Sequence, residues 1–288
     1  MATIEIDNFT DPLCPWAWSA EPALLTLRWR YGDALAWTPR TIVLSERPED
    51  YTAKGFTPDK LAKGMTMIQE RFGMPIATHE RPRMTASLPA CRAVVAVRRH
   101  DSVAAERLLR RLRVLHMGGE LIDEPDVIAR AATEAGLDPR RVRVWADEPQ
   151  TENELRADMD AARHPLAAAR ALDHKLAGWA DGRRYTAPSL VLHRDGREPL
   201  ALPGFQPVEA YEALIVNLAP EIERRDAPGS VEELLEWAPW PLATKEVAAV
   251  CEIDVDEARR GLAEVAVEQP LGPEAFWALP EQAESLAA

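Results

Sequence analysis

The strongest structural signal in the chain is the segment Phe9-Thr-Asp-Pro-Leu-Cys-Pro-Trp-Ala-Trp18. It ends a stretch, Thr3–Phe9, in which polar and apolar residues alternate as they do in a β-strand. Thr10-Asp11-Pro12 interrupts that alternation. Pro15 then suits the first turn of a helix, because its missing N–H would have no partner there anyway. The pattern therefore places Cys14 between a strand and the start of a helix.

Cys14 is predicted to be a low-pKa, partly exposed thiolate. A cysteine at a helix N-terminus faces unpaired backbone N–H groups and the positive end of the helix dipole, and both favour the thiolate. No Lys or Arg lies within ten residues, so the backbone must supply most of this effect. The alternative is a buried structural cysteine. Cys91 and Cys251 are expected to be inert core residues, with Cys91 a weak candidate for a distant resolving cysteine.

The residues that follow predict a strand–helix–strand unit and then a largely helical region. The first helix is expected to run to about Tyr31 with a kink at Pro22, and Leu35–Leu44 reads as a second strand. Helical spacing of apolar residues dominates from about 57 to 174. The last helix of this region is predicted from about Asn153 to Trp179.

After the helical region the pattern predicts two more strands and a closing helix. Ala187–His193 reads as a strand, Asp195-Gly196 as a hairpin turn and Glu198–Leu202 as the partner strand. Pro207–Leu218 is the expected closing helix. Together these segments predict an α/β fold in which a helical region is inserted between two halves of one sheet.

These motifs resemble the DsbA family of thioredoxin-fold proteins, in which a Cys-Pro-x-Cys motif follows the first strand. Cys14-Pro-Trp-Ala17 stands at that place, and Ala187-Pro188 matches the cis-proline of the family. Glu21–Leu25 and Gly119–Ile128 resemble the FrnE-like branch, which also includes 2-hydroxychromene-2-carboxylate isomerases and kappa-class glutathione transferases. The likeness covers residues 3–218.

The resemblance implies a thioredoxin fold with an inserted helical domain. The expected divisions are the thioredoxin domain at 1–50 and 181–220, the helical insertion at 51–180, and an acidic C-terminal helical module of winged-helix-like spacing at 221–288. The implied site consists of the catalytic Cys14 and of the substrate- or thiol-binding residues Pro15, Trp16, Ala17, Ala187 and Pro188. Trp16 is expected to face the substrate, whereas Trp18 is expected to pack beneath the turn.

Ala17 departs from the family pattern, because it replaces the second cysteine of the motif. A Cys-x-x-Cys pair forms a mixed disulfide and then resolves it internally, but alanine provides no second sulfur. Dithiol oxidase activity is therefore not expected, and an outside thiol would have to complete any exchange. Alanine is also the residue that an engineered trap of a Cys-Pro-Trp-Cys parent would carry.

Three functions agree with these features. The first is a thiol-dependent oxidoreductase or transferase that uses Cys14, with glutathione, mycothiol or bacillithiol as co-substrate and no tightly bound cofactor. The second is a redox-inactive adaptor of the ClpXP type, which the loss of the second cysteine and the acidic tail favour. The third is a thiol-dependent isomerase of the hydroxychromene type, although those enzymes usually carry serine at the position of Cys14.

Charge and composition limit the partners. The 288 residues carry a net charge of −13, and residues 221–288 alone contain 16 acidic residues against five Lys or Arg. Nucleic acid and anionic membranes are therefore not expected as partners, whereas a protein partner could bind the acidic module. The N-terminus lacks the pattern of a secretory signal, and no Cys or His pair has zinc spacing. A cytoplasmic location and no metal are expected.

Overall fold

The computed structural model describes residues 3–180 and 182–287, and it begins with the strand–helix–strand unit that the sequence predicts. The elements of this unit are β1 (Ile4–Thr10), α1 (Pro15–Ser19), α2 (Glu21–Tyr31) and β2 (Leu35–Thr41). β1 and β2 pair in parallel along their whole length. The unit forms one half of the central sheet.

Two boundaries in this unit differ from the sequence prediction. The kink expected at Pro22 is a break between α1 and α2 at Ala20, and Pro22 occupies the first turn of α2, where its missing N–H is not needed. β2 ends before Leu44 because Val43 adopts a positive φ of 52°. The backbone N–H of Leu44 then donates to the carboxylate of Asp11 at 2.7 Å rather than to a strand.

Helices fill the chain between the two halves of the sheet. They are α3 (Glu49–Thr52), α4 (Pro58–Phe72), α5 (Leu88–Arg98), α6 (Ser102–Met117), α7 (Pro125–Glu134), α8 (Pro139–Ala146), α9 (Pro149–Arg163) and a 3-10 helix (Ala167–Lys175). The prediction of one helix from Asn153 to Trp179 is wrong. α9 stops because Pro165 has no N–H and disfavours helical backbone at the residue before it. Across the described residues, every helix is too short or too polar to traverse a lipid bilayer.

The chain then completes the central sheet. The elements are a short hairpin of β3 (Ala177–Trp179) and β4 (Gly182–Arg184), followed by β5 (Ser189–His193), β6 (Leu200–Pro203) and α10 (Val208–Leu218). The central sheet has the order β2-β1-β5-β6. β1 and β5 are antiparallel, with Phe9 opposite Ser189. The end of β1 therefore lies beside the start of β5, which brings the loop of Cys14 next to Ala187-Pro188.

α2 packs against two hydrophobic cores. Leu24 and Leu27 lie in the core between the sheet and α10. Leu25 and Trp29, on the other side of α2, lie in the core of the C-terminal residues. The helix is thus apolar on two faces, and burial of both faces attaches the C-terminal residues directly to the thioredoxin domain.

The C-terminal module, residues 221–287, contains strands as well as helices. Its elements are α11 (Val231–Trp237), β7 (Leu242–Ala243), α12 (Thr244–Val250), α13 (Val255–Val265), β8 (Val267–Leu271), β9 (Glu274–Ala278) and α14 (Pro280–Ala287). The three strands form a sheet in the order β7-β9-β8, which the sequence analysis did not predict. The order of helices and strands is that of a winged helix.

The hairpin of β8 and β9 rests against the helical insertion. Gly272 makes its turn with a φ of 63°, and a Cβ at this position would collide with the carbonyl oxygen of Ile76. Only glycine combines this backbone conformation with so close an approach. The hairpin turn is therefore fixed against the segment that follows α4.

A buried ion pair joins the module to the insertion. Arg110 of α6 donates from Nη1 and Nη2 to the two carboxylate oxygens of Glu246 in α12, at 2.6 and 2.7 Å. Glu246 also accepts the backbone N–H of Ala243 at 2.7 Å, which caps the start of α12. The guanidinium lies 4.5 Å from the ring centroid of Trp18. These four residues define the module interface.

Candidate functional site

Cys14 and the proline loop form the centre of the candidate site. Cys14 caps the N-terminus of α1, and its Sγ donates to the carbonyl oxygen of Ala187 at 3.3 Å. The peptide bond between Ala187 and Pro188 is cis. The side chain of Cys14 is buried, with an exposed fraction of 6%. The structure thus brings together Cys14 and Ala187, which are distant in sequence.

The thiol of Cys14 is protonated at neutral pH. Burial raises the pKa of Cys14 to about 11, and the nearby carboxylate of Asp11 adds to this increase, while the backbone N–H groups of Ala17 and Trp16 and the charge of Arg113 oppose it. The prediction of a partly exposed, low-pKa thiolate is therefore wrong. Desolvation of the sulfur outweighs the N–H groups at the start of α1, a helix of only five residues.

The other two cysteines, Cys91 and Cys251, are also thiols with raised pKa values. Cys91 is fully buried on α5, and its Sγ donates to the carboxylate of Asp11 at 3.6 Å. Burial raises the pKa of Cys91, chiefly through desolvation. Burial also raises the pKa of Cys251 to about 11. All three cysteines are free thiols.

A cleft of about 520 Å³ opens beside Cys14. Its lining comprises Leu13, Cys14, Pro15, Trp16, Leu44, Tyr51, Phe56, Lys60, Leu61, Gly64, Met65, Ile68, Arg81, Met84, Thr85, His116, His174, Lys175, Arg184, Thr186, Ala187, Gly204 and Phe205. We call this site the cleft. Large apolar side chains dominate it, which is typical of sites that bind small molecules or peptide segments.

The cleft contains some of the predicted site residues and leaves others outside. Cys14, Pro15, Trp16 and Ala187 line it, whereas Ala17 and Pro188 do not. The Trp16 ring is 41% exposed and packs edge-on against other rings, consistent with its expected position facing a ligand. Ala17 is buried behind the turn, where its N–H points towards Cys14.

Several lining residues were missed by the sequence analysis. α4 contributes one stripe, with Lys60, Leu61, Gly64, Met65 and Ile68 at the spacing of a single helix face. That stripe is readable in the sequence, but nothing local shows what it faces. Among the residues that the structure describes, no group of three His, Cys, Asp or Glu side chains is placed to hold a metal ion.

The family of the chain is shown by a match over its first half. A family model described as a DSBA-like thioredoxin domain matches residues 5–165, which is more than half of the chain. This chain belongs to the DSBA-like thioredoxin domain family. The match includes β1, Cys14 and the insertion through α9.

Curated relatives extend the similarity beyond this domain. The ClpXP adapter protein SpxH of Halalkalibacterium halodurans is 27% identical over 279 residues, which cover 93% of this chain and 84% of that protein. SpxH of Bacillus subtilis is 25% identical, with coverage of 91% and 83%. Because less than a tenth of this chain stays unmatched, the similarity includes most of the C-terminal module.

A solved structure shares the fold over three quarters of this chain. The cytosolic disulfide reductase DsbM from Pseudomonas aeruginosa superposes with a TM-score of 0.52 at 22% identity, covering 75% of this chain and 100% of that protein. A quarter of this chain thus has no counterpart in DsbM. The likeness supports the thioredoxin fold with its helical insertion.

Proposed function

We propose that this protein is an adaptor that holds a segment of a client protein in the cleft and brings it to a protease of the ClpXP type. The observation that carries the proposal is the state of Cys14, whose burial raises its pKa to about 11, beside an alanine at position 17. Thiol–disulfide exchange needs a thiolate that attacks and a second thiol that resolves. At neutral pH the site offers little thiolate and no second thiol of its own, yet it keeps a large apolar cleft.

The extent of the similarity supports an adaptor over an oxidoreductase. The match to the two SpxH proteins includes most of the C-terminal module, whereas DsbM aligns over its whole length and leaves a quarter of this chain unmatched. An adaptor needs two contact surfaces, one for the client and one for the protease. The cleft would provide the first surface.

The acidic module would provide the second surface. It carries 16 acidic residues against five Lys or Arg, and its helix α13 begins with Asp254, Asp256 and Glu257. Such a surface suits a basic patch on a protein partner and repels nucleic acid. We also propose a cytoplasmic location, as expected from the sequence.

The test measures protein half-lives in cells that carry the wild-type chain, a deletion, or single variants, with a ClpX-deficient strain as reference. Clients are the proteins that are stabilised both by the deletion and by loss of ClpX. Cys14→Ser should restore their degradation, because the proposal uses no thiol chemistry. Gly64→Phe should not restore it, because the ring would occupy the cleft from α4, where added atoms meet open space. Gly64→Ala is the matched control and should restore degradation.

Two results would contradict the proposal. If Cys14→Ser behaves like the deletion, the thiol itself is required. If Gly64→Phe supports normal degradation while the protein remains folded, clients do not bind in the cleft.

A thiol-dependent enzyme is the second candidate. It is favoured by the cations Lys60 and Arg184, which line the cleft together with Cys14 and would suit an anionic small thiol. Intact mass after incubation with the disulfides of glutathione, mycothiol or bacillithiol distinguishes the two. The adaptor should show no adduct on Cys14, whereas rapid formation of one adduct would favour the enzyme.

A further inference from the structure

The charge of the cleft is opposite to that of the protein. Although the chain carries a net charge of −13, no Asp or Glu is among the described residues that line the cleft. The Lys, Arg and His residues in its lining are Lys60, Arg81, His116, His174, Lys175 and Arg184. A ligand of this site therefore meets positive charge and no competing carboxylate.

Arg81 is the most informative of these residues, because its guanidinium is buried without a carboxylate partner. The residue is 5% exposed, and among the described ion pairs none includes it. Nη1 lies 3.0 Å from Nε2 of His116, and Nη2 donates to the carbonyl oxygen of the same histidine. A buried charge with only neutral partners is costly, and such groups are usually paired.

His116 does not neutralise Arg81. Burial and the charge of Arg81 hold the pKa of His116 well below its usual range, so the ring is neutral. Because a guanidinium has only donors, Nε2 of His116 must accept, and Nδ1 then donates to the carbonyl oxygen of Glu120 at 3.2 Å. Burial lowers the pKa of Arg81 to about 10, so Arg81 stays charged at neutral pH.

Two lysines of the cleft also bind neutral groups. Lys60 Nζ donates to Gly55 O at 2.7 Å, and Lys175 Nζ donates to Phe205 O at 3.0 Å. Each ammonium has three donors, so both keep free donors after these contacts. By contrast, Lys63, on the same helix as Lys60 and outside the cleft, pairs with the carboxylate of Asp59 at 3.0 Å.

The rest of the lining favours a ligand with apolar side chains. Its apolar members include Leu44, Tyr51, Phe56, Leu61, Met65, Ile68, Met84 and Phe205. A hydrophilic small thiol would leave much of this surface without a partner, whereas large apolar side chains would bury it. The cleft thus combines apolar walls with cations that are not paired with a carboxylate of the described residues.

We infer that the cleft binds an extended peptide segment in which an Asp or Glu lies among large apolar side chains, with the carboxylate paired to Arg81 and Lys60. The inference rests on the proposed function and adds the chemical class of the client segment. A carboxylate at Arg81 would form charge-assisted hydrogen bonds with a guanidinium that is already desolvated in the free protein. The acidic residue would therefore provide selectivity, and the apolar residues would provide contact area.

The test is selection of a displayed library of random nine-residue peptides on the full-length protein. Wild-type protein should enrich peptides that contain Asp or Glu beside Leu, Ile, Met or Phe. A selected peptide and its copy with Gln in place of the acid are then labelled with fluorescein, and their affinities are measured by anisotropy. The acidic peptide should bind at least about tenfold more tightly at low salt, as expected for a charge-assisted hydrogen bond.

Variants assign the preference to the cleft. Lys60 and Lys63 both lie on exposed parts of α4. Lys60→Gln should reduce the advantage of the acidic peptide several-fold, whereas Lys63→Gln should leave it unchanged. Arg81→Gln should abolish the advantage if its circular dichroism spectrum matches that of the wild type. If Arg81→Gln does not fold, the pair of lysine variants decides the question.

The outcomes separate the inference from the proposed function. Enriched peptides without acidic residues, or equal loss in Lys60→Gln and Lys63→Gln, would overturn the charge inference and leave peptide binding in place. No enrichment at all would overturn both. Displacement of the labelled peptide by micromolar glutathione or laurate would assign the cleft to a small anionic ligand and overturn the peptide inference.

Discussion

The module interface and the cleft each contain a buried arginine, but only the arginine at the module interface is paired with a carboxylate of the described residues. Arg110 at the module interface binds both carboxylate oxygens of Glu246, at 2.6 and 2.7 Å. The hydrogen-bond partner of Arg81 in the cleft is, among the described residues, the neutral His116. At the module interface the chain supplies its own counter-charge, as an element of fixed structure requires. In the cleft the chain leaves a positive charge for the carboxylate of a bound ligand.

The largest expected effect is at the module interface. Arg110→Met leaves the carboxylate of Glu246 buried without its partner, which should lower the free energy of unfolding by about 3–5 kcal/mol. Urea denaturation followed by tryptophan fluorescence measures the change. Arg259→Met is the matched control, because its pair with Glu274 is partly exposed and should cost roughly 0–1 kcal/mol. Equal losses in both variants would remove the contrast between the two regions.

In the cleft, the thiol of Cys14 should be unreactive. With burial raising the pKa to about 11, its thiolate fraction at pH 7 is about a hundredfold lower than that of a free cysteine. Iodoacetamide labelling read by mass spectrometry should therefore be slower by about that factor and should rise about tenfold per pH unit up to pH 11. Labelling in urea is the control. Reaction at the rate of free cysteine in the folded protein would mean that burial does not control this site.

Alanine substitutions at two glycines test how tightly each of the two regions is packed. Gly64 lies inside α4, where a Cβ meets open space, so Gly64→Ala should raise the free energy of unfolding by about 1 kcal/mol. Gly272 has a positive φ and touches Ile76, so Gly272→Ala should lower it by about 1–2 kcal/mol or more. Thermal and urea unfolding of both variants provide the measurement. A loss of stability in Gly64→Ala would show that the cleft is more tightly packed than described.

The smallest expected change in stability is that of Arg81→Met. The variant loses two contacts with His116 but also removes a buried charge that has no carboxylate, so the opposing effects should leave the free energy of unfolding within about 1 kcal/mol of the wild type. The same urea denaturation serves as the assay. A loss as large as that of Arg110→Met would make Arg81 a structural residue and weaken the ligand inference.

The sequence predicts the local geometry around Cys14 well, because strand alternation and Pro15 are signals of a few neighbouring residues. The two halves of the central sheet also follow from such signals, whereas the position of Ala187 beside Cys14 was expected from the resemblance to the DsbA family. The DsbA-like fold is confirmed by the family match. Short, regular sequence patterns are sufficient to predict all of these elements.

The protonation state of Cys14 and the charge of the cleft could not be predicted from such patterns. The state of Cys14 depends on burial, and Cys14 lies in a hydrophobic cluster with residues distant in sequence such as Ala162 of the insertion and Tyr185. Arg81 lies in a loop with no periodic pattern, and its lack of a carboxylate is visible only in three dimensions. The strands β8 and β9 were missed because Val267–Leu271 is mostly polar or partly exposed and contains Pro270.

The double role of Glu246 has a consequence for the order of events during translation. Arg110 leaves the ribosome 136 residues before Glu246 does. Until then α6 carries a charged group on a face that is destined for the interior, and water must solvate it. A nascent chain that stops before α12 therefore cannot close this face. Synthesis of α12, rather than completion of the thioredoxin domain, is therefore the step that allows this face to close.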